Sequence, residues 1–254
     1  MSVMRQIRKL GTDLVIAFQF LTRIPMASIV FETNSLPRAV QFFPLVGLVI
    51  GCSGVLLHRI LLPHLNRPLV ALIVLAYLVL ITGCFHEDGL ADSADAFGGG
   101  WNRDQILLIM KDSRIGSYGT TALVLSLLAR YLLLAFLPLG HFASYFISAQ
   151  ILCRWSSLPL SYFLPPARDR AGQGARIARL TSMPSLLFGS AFSIVAVGFA
   201  LRRLSVAPMV ATLVVVVLSG WFYFRKLGGV TGDCFGATNQ LTEIAVYFCG
   251  VWGL

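Results

Sequence analysis

ITGCFHEDGLADSADAFGGGWNRDQILLIMKDSRIGSYG, residues 81–119, decides how the rest of the chain is read. The 254 residues include eleven acids, and six of them (Glu87, Asp88, Asp92, Asp95, Asp104 and Asp112) fall between positions 87 and 112. Carboxylates gathered this densely repel one another, and a divalent metal or a metal-bound phosphate is the natural counter-charge. Long apolar runs flank this acidic island. The whole chain is 57% hydrophobic and 12% charged, about half the ~25% charged content of soluble domains. These values predict an all-α fold: one polytopic integral membrane domain of about six to eight apolar helices, since each span takes roughly 20 residues.

Upstream of the island, residues 39–61 begin AVQFFPLVGLVIG. Pro44 predicts a kink there, and Gly47 with Gly51 a close helix–helix contact. A further span over 68–84 delivers the chain into the acids. Residues 10–31 contain Asp13, Gln19, Thr22, Arg23 and Pro25; charges inside a bilayer are costly, so this segment is expected to be re-entrant or interfacial. Downstream, DQILLIMKD (104–112) reads as a short amphipathic helix at the membrane surface. Spans are expected at 117–137 and 141–163, then at 185–201 and 207–224. A loop over 165–183 carries Arg168, Arg170, Arg176 and Arg179, and a second polar stretch, RKLGGVTGDCFGATNQLTE, runs from 225 to 243 before a last apolar segment.

Two spans separate each of these three polar stretches from the next, so all three emerge on one face. They carry three, four and two basic residues, against one, none and two in the opposing loops. That bias makes the shared face cytoplasmic. The net charge of +9 comes from twenty Lys and Arg spread thinly near segment ends, which argues against a nucleic-acid partner. No small-residue cleavage site marks a signal peptide. The five cysteines form no CxxC pair and read as small buried hydrophobes.

On a helix, Asp88, Asp92 and Asp95 stand at i, i+4 and i+7 and share one narrow face. Oxygen ligands on one stripe suit Mg²⁺, with Glu87 able to reach a metal from the edge. The bland alternative is an acidic helix start favoured by the helix dipole, but acids are scarce elsewhere. His86 lies off the stripe, and Gly98, Gly99 and Gly100 either approach a phosphate or merely connect two helices. Lys111, Asp112, Ser113 and Arg114 in KDSRIGSYG form a candidate phosphate clamp, or a juxtamembrane basic cluster. Thr231, Asp233, Asn239 and Gln240 in TGDCFGATNQ suit a base, a ribose or a further metal ligand. A membrane cation transporter also uses intramembrane acids. Here, however, they cluster between spans, and no second half repeats the first.

HEDGLADSADAFGGG, IMKDSRIGSYG and GGVTGDCFGATNQLTE resemble, in order, three signatures of the bacterial cobalamin synthases, the adenosylcobinamide-GDP ribazoletransferase family. FLTRIP at 20–25 and FFPLVGLVIG at 42–51 resemble its N-terminal half. The resemblance implies a Mg²⁺-dependent transferase of the bacterial cytoplasmic (inner) membrane, acting late in vitamin B12 biosynthesis. It would pass the adenosylcobinamide phosphate moiety of adenosylcobinamide-GDP to the 5′-hydroxyl of α-ribazole, or to α-ribazole 5′-phosphate. The products would be adenosylcobalamin, or its phosphate, and GMP. It places metal ligands at Glu87, Asp88, Asp92 and Asp95, with Asp88, Asp92 and Asp95 catalytic. Substrate contacts fall on Asp112, Ser113 and Arg114, and on Asp233, Asn239 and Gln240. Asp95-Ala96-Phe97 stands where the family often has Asp-Gly. A homo-oligomer and association with other enzymes of the pathway both stay open.

Overall fold

The computed structural model describes residues 3–26, 35–168 and 181–252, with side chains from residue 8 onward. Arg170, Arg176 and Arg179 of the Arg-rich loop lie outside the described residues. Among the described residues the chain is helical throughout, with a single isolated β-bridge between Pro166 and Val230. The helices are α1 (Val3–Leu21), α2 (Ser35–Ala39), α3 (Phe43–Leu61), α4 (Arg67–Thr82), α5 (Phe85–Gly99) and α6 (Arg103–Ile109). They continue as α7 (Ser117–Phe136), α8 (Leu139–Trp155), α9 (Ser157–Phe163), α10 (Met183–Leu201), α11 (Val206–Leu227) and α12 (Gly232–Trp252).

Among the described residues, three stretches are each long and apolar enough to cross a membrane: Ser35–Leu61, Ser117–Phe136 and Met183–Leu227. The last, at 45 residues, exceeds twice the ~20 residues of one crossing. It breaks at Arg202, whose φ is +52°, so α10 and α11 have the length for the two crossings expected there. The six to eight expected crossings are not all matched in this way. α4 has 16 residues and α8 has 17, while α12 carries Asp233, Asn239, Gln240 and Glu243. Nor does α1 meet that standard; its Asp13 is buried and held by Arg38 Nε and Nη2 at 2.9 and 3.0 Å.

Local chemistry sets the boundaries. Asn66 caps α4 by accepting from the Leu69 amide at 3.1 Å, with Pro68 in the first turn. Asn102 does the same for α6 through Gln105, at 3.0 Å, satisfying amides that a helix start leaves orphaned. Pro44 lies inside the Ser35–Leu61 stretch, directly after a break in the regular α-helix. It sits in the first turn of α3, after a 3₁₀ turn over Val40–Phe42, where its missing N–H costs nothing. Gly47 and Gly51 make the expected close contact. A Cβ on Gly51 would lie 2.9 Å from the Ile147 Cα, so α3 rests backbone to backbone on α8.

Two features position the site. Gly83 and Cys84 take left-handed φ values of +65° and +60° and turn α5 by 86° away from α4. α4 and α5 reach the length and apolarity of a crossing only together, as a pair bent at this elbow, and α5 packs on α12 and α7. The second feature joins the polar stretches. Val230 N donates to Pro165 O at 2.8 Å and Ala167 N to Val230 O at 2.9 Å, while Arg103 reaches Ala167 O and Leu227 O at 2.6 and 2.9 Å. The three polar stretches thus meet at one end, as the span count requires.

Candidate active site at the α5–α12 crossing

α5 and α12 cross at glycines. A Cβ on Gly89 would lie 3.0 Å from Asp233 O and 3.1 Å from the Gly236 Cα. Only hydrogen fits between the backbones. This approach brings Asp233 from the late motif beside Asp88 and Asp92 of the acidic one. Gly236→Val is expected to wedge the helices apart, lowering thermal stability by about 1–3 kcal/mol and depressing activity with it. Unchanged melting and turnover would show that the close approach is dispensable.

The charges at the crossing oppose one another. Burial first, then the charges of Asp88, Asp233 and Asp95, push the Asp92 carboxyl up to about 6, with Arg168 pulling it down. Burial likewise raises Asp233, against the opposing pull of Arg168 and the Thr231 hydroxyl. Asp88 is exposed beside them. Among the described residues, three carboxylates therefore meet one cation, Arg168. Arg168 spends one nitrogen on Leu107 O at 3.2 Å, and its buried Nε has no partner. Among the described residues no three His, Cys, Asp or Glu groups lie close enough together to cage an ion unaided.

Other residues of the expected set take different places. Asp95 accepts from the Gly116 and Gly119 amides at 2.6 and 2.8 Å. It thereby supplies from α5 the N-terminal cap that α7 lacks from its own Gly116. Glu87 turns into the bundle, where Oε1 accepts from Arg130 at 2.7 Å and from Gln240 at 3.3 Å. Gln240 and Asn239 are also interior, at 1% and 2% exposure. Gln240 Oε1 takes Arg130 at 2.9 Å and Ser126 at 3.2 Å, and Asn239 faces Cys153. The second polar stretch, through Glu243, is helical from Gly232. Its amides and Glu243 are buried because partners on other helices satisfy them. Thr231 is buried too; its hydroxyl accepts from the Cys234 amide at 3.4 Å and lies 3.3 Å from Asp233 Oδ2.

Lys111, Asp112, Ser113 and Arg114 occupy the linker between α6 and α7, on the surface. Asp112 and Arg114 pair at 2.6 Å, and the guanidinium hydrogen bonds hold the Asp112 carboxyl down at about 2. Gly98 and Gly99 end α5, and Gly100 turns the chain tightly against Ile106 of α6. The connecting role of these glycines is the one the backbone displays.

Beneath the crossing lies a network that the motif reading did not assemble. Arg130, 1% exposed, bonds Glu87 and Gln240 and sits 3.2 Å from Glu243 Oε2. Gln150 Nε2 donates to Glu243 Oε1 at 3.0 Å and to Tyr247 Oη at 2.9 Å, and Gln150 Oε1 accepts from Arg154 at 2.8 Å. Two carboxylates balance two guanidiniums, tying α5, α7, α8 and α12 together directly under Asp88. A signal was available. An arginine within an apolar helix demands a partner, and both SLLARYLLL and LCRW contain one.

The sequence profile described as cobalamin-5-phosphate synthase matches residues 13–251. The chain is 41% identical to a Sinorhizobium medicae protein, over 96% of this chain and 97% of that one. It is 36% identical to a Ralstonia nicotianae protein over 96% of each, and 34% identical to a Shewanella piezotolerans protein over 92% of each. All three are named adenosylcobinamide-GDP ribazoletransferase. No solved structure matches the chain. A profile spanning nearly every residue, with relatives aligned end to end, places the three signatures in one lineage: the chain belongs to the cobalamin-5-phosphate synthase family.

Proposed function

We propose that this protein is an adenosylcobinamide-GDP ribazoletransferase of the bacterial cytoplasmic membrane, with its active site on the cytoplasmic face. The observation that carries the reading is the glycine crossing, which sets Asp88, Asp92 and Asp233 beside Arg168 at one rim of the bundle. Excess negative charge with hard oxygen donors fits Mg²⁺. The absence of a three-ligand cage among the described residues also fits, because Mg²⁺ often takes one or two carboxylates and completes its shell with waters and substrate phosphates. Asp92, with Asp88 or Asp233 as its second carboxylate, would hold the ion, and when bound it would offset charge on the diphosphate of the donor.

The chain's own groups then divide the work. Arg168, the cation beside Asp92 and Asp233, grips a diphosphate oxygen, and Lys111, which lines a hollow with Arg168, faces the same phosphates from the α6–α7 linker together with Arg114. An alcohol of the acceptor attacks the cobinamide-side phosphorus in line. A new P–O bond forms as the bridging P–O bond breaks, and GMP departs with the electron pair. Asp88, the most exposed of the three acids, receives the hydroxyl proton. With α-ribazole the attacking oxygen is a ribose hydroxyl; with α-ribazole 5′-phosphate the 5′ oxygen is already esterified, so a secondary hydroxyl attacks. Asp95 and Glu87 act one step removed, by fixing α7 and α5.

Purified protein given adenosylcobinamide-GDP and α-ribazole is expected to release GMP only with Mg²⁺ present; equal release in excess chelator would defeat the metal assignment. Arg168→Ala is expected to raise the KM for the donor about tenfold, the equivalent of one charge-assisted hydrogen bond of ~1.5 kcal/mol, with little change for the acceptor. An unchanged donor KM would remove Arg168 from the site.

A further inference from the structure

The run Phe20-Leu-Thr-Arg-Ile-Pro25 is not used by the assignment above, yet it borders Asp88. α1 stops here: the Thr22 hydroxyl turns back to Phe18 O at 2.7 Å, and Arg23 N donates across to Ile81 O at 2.7 Å. The segment is thereby pinned over the α4–α5 elbow. Phe20 packs edge-on against Phe85, centroids 5.2 Å apart, which fixes the same join from the α5 side. Gly83, at φ +65°, leaves room for the Arg23 side chain; a Cβ there would press on the Arg23 Nε. Glycine thus serves both the left-handed turn and the guanidinium above it.

Between the end of α1 and the elbow lies a cavity of about 520 Å³, lined by Gln19, Thr22, Arg23, Thr82, Cys84 and Asp88 among others. Arg23 is exposed and makes no ion pair among the described residues. On its far side a second hollow of about 550 Å³ follows α4, walled by Ile24, Pro25, Ile73, Tyr77 and Leu80. Arg23 therefore stands where a polar chamber beside a site carboxylate meets an apolar slot. That pairing of surfaces matches an aromatic ribonucleoside monophosphate, with an apolar ring at one end, ribose in the middle and a dianionic phosphate.

We propose that Arg23 reads the 5′-phosphate of the acceptor nucleotide, holding it in this cavity so that a ribose hydroxyl faces Asp88. The proposal rests on the transferase reading and deepens it by naming the acceptor's subsite. The donor diphosphate is the other phosphate at hand, but Asp92, Asp233 and Arg168 lie on the α12 side of Asp88. In-line displacement brings the nucleophile in opposite the leaving group. Asp88 borders both regions, which leaves the Arg23 side to the acceptor.

Equilibrium binding of α-ribazole 5′-phosphate and of α-ribazole to the full-length protein in detergent, without donor, tests this. Wild type is expected to bind the phosphorylated acceptor at least tenfold more tightly. Arg23→Ala is expected to abolish that preference while leaving α-ribazole affinity within about twofold, and Arg23→Lys to retain part of it. No preference in wild type, an undiminished preference in Arg23→Ala, or loss of both ligands from that variant would overturn the assignment. GMP release is measured separately: a protein that shows the Arg23-dependent preference yet releases no GMP keeps the subsite and loses the transferase reading.

Discussion

Asp92→Asn lowers Mg²⁺-dependent GMP release by about 10²–10³-fold, the loss that follows removal of one preorganised group facing transition-state charge. The variant still inserts and keeps its helix content. Asp92 is the acid on which the site's charges converge, since Asp88, Asp233 and Asp95 all oppose its ionisation and Arg168 favours it. Asn keeps the size and one oxygen but removes the anion, so the fold loses a source of repulsion while the site loses a ligand. The expected pattern is therefore opposite in sign for the two readouts: activity collapses and thermal stability holds or rises. Near-normal turnover would take Asp92 out of the mechanism. A parallel fall in stability would make it a structural residue.

Arg130→Ala has the largest expected effect on the fold. Its guanidinium is the charge that Glu87 and Glu243 share in the interior, and removing one member of a buried network leaves uncompensated charge at a cost of about 3–5 kcal/mol. Both acids and Gln240 would lose their shared donor together. Thermal melting in detergent should show a drop large enough that little folded protein is recovered. The neutral combination Glu87→Gln, Arg130→Met, Arg154→Met and Glu243→Gln should restore much of it, because the penalty arises from imbalance rather than from lost contact area. A single Arg130→Ala that melts like wild type would show the network to be incidental. If that neutral variant melts normally yet releases GMP slowly, the network's task is to aim α5.

The parts of this arrangement visible in the sequence are those set by local spacing. Asp88 and Asp92 share a stripe because four residues make about one helical turn, and Gly47 with Gly51 announced a close helix contact by the same arithmetic. The common face of the three polar stretches followed from counting spans between them. The roles of Glu87, Asn239, Gln240 and Asp95 were not visible, because each is decided by a partner distant along the chain. Glu87 carries the same charge as Asp88 one position earlier, and only the rotation of α5 against Arg130 sends one inward and the other to the rim. Asp95 continued the stripe in sequence, but the α7 amides claim both its oxygens.

The central claim is that the rim acids hold a divalent ion jointly with the donor's diphosphate and do not cage it alone. Mn²⁺ titration followed by electron paramagnetic resonance, with and without adenosylcobinamide-GDP, measures this directly. Weak binding to the protein alone, tightened at least tenfold by the donor and lost in Asp92→Asn, is the predicted result. Tight binding without donor, or donor-independent binding that survives in Asp92→Asn, would contradict it.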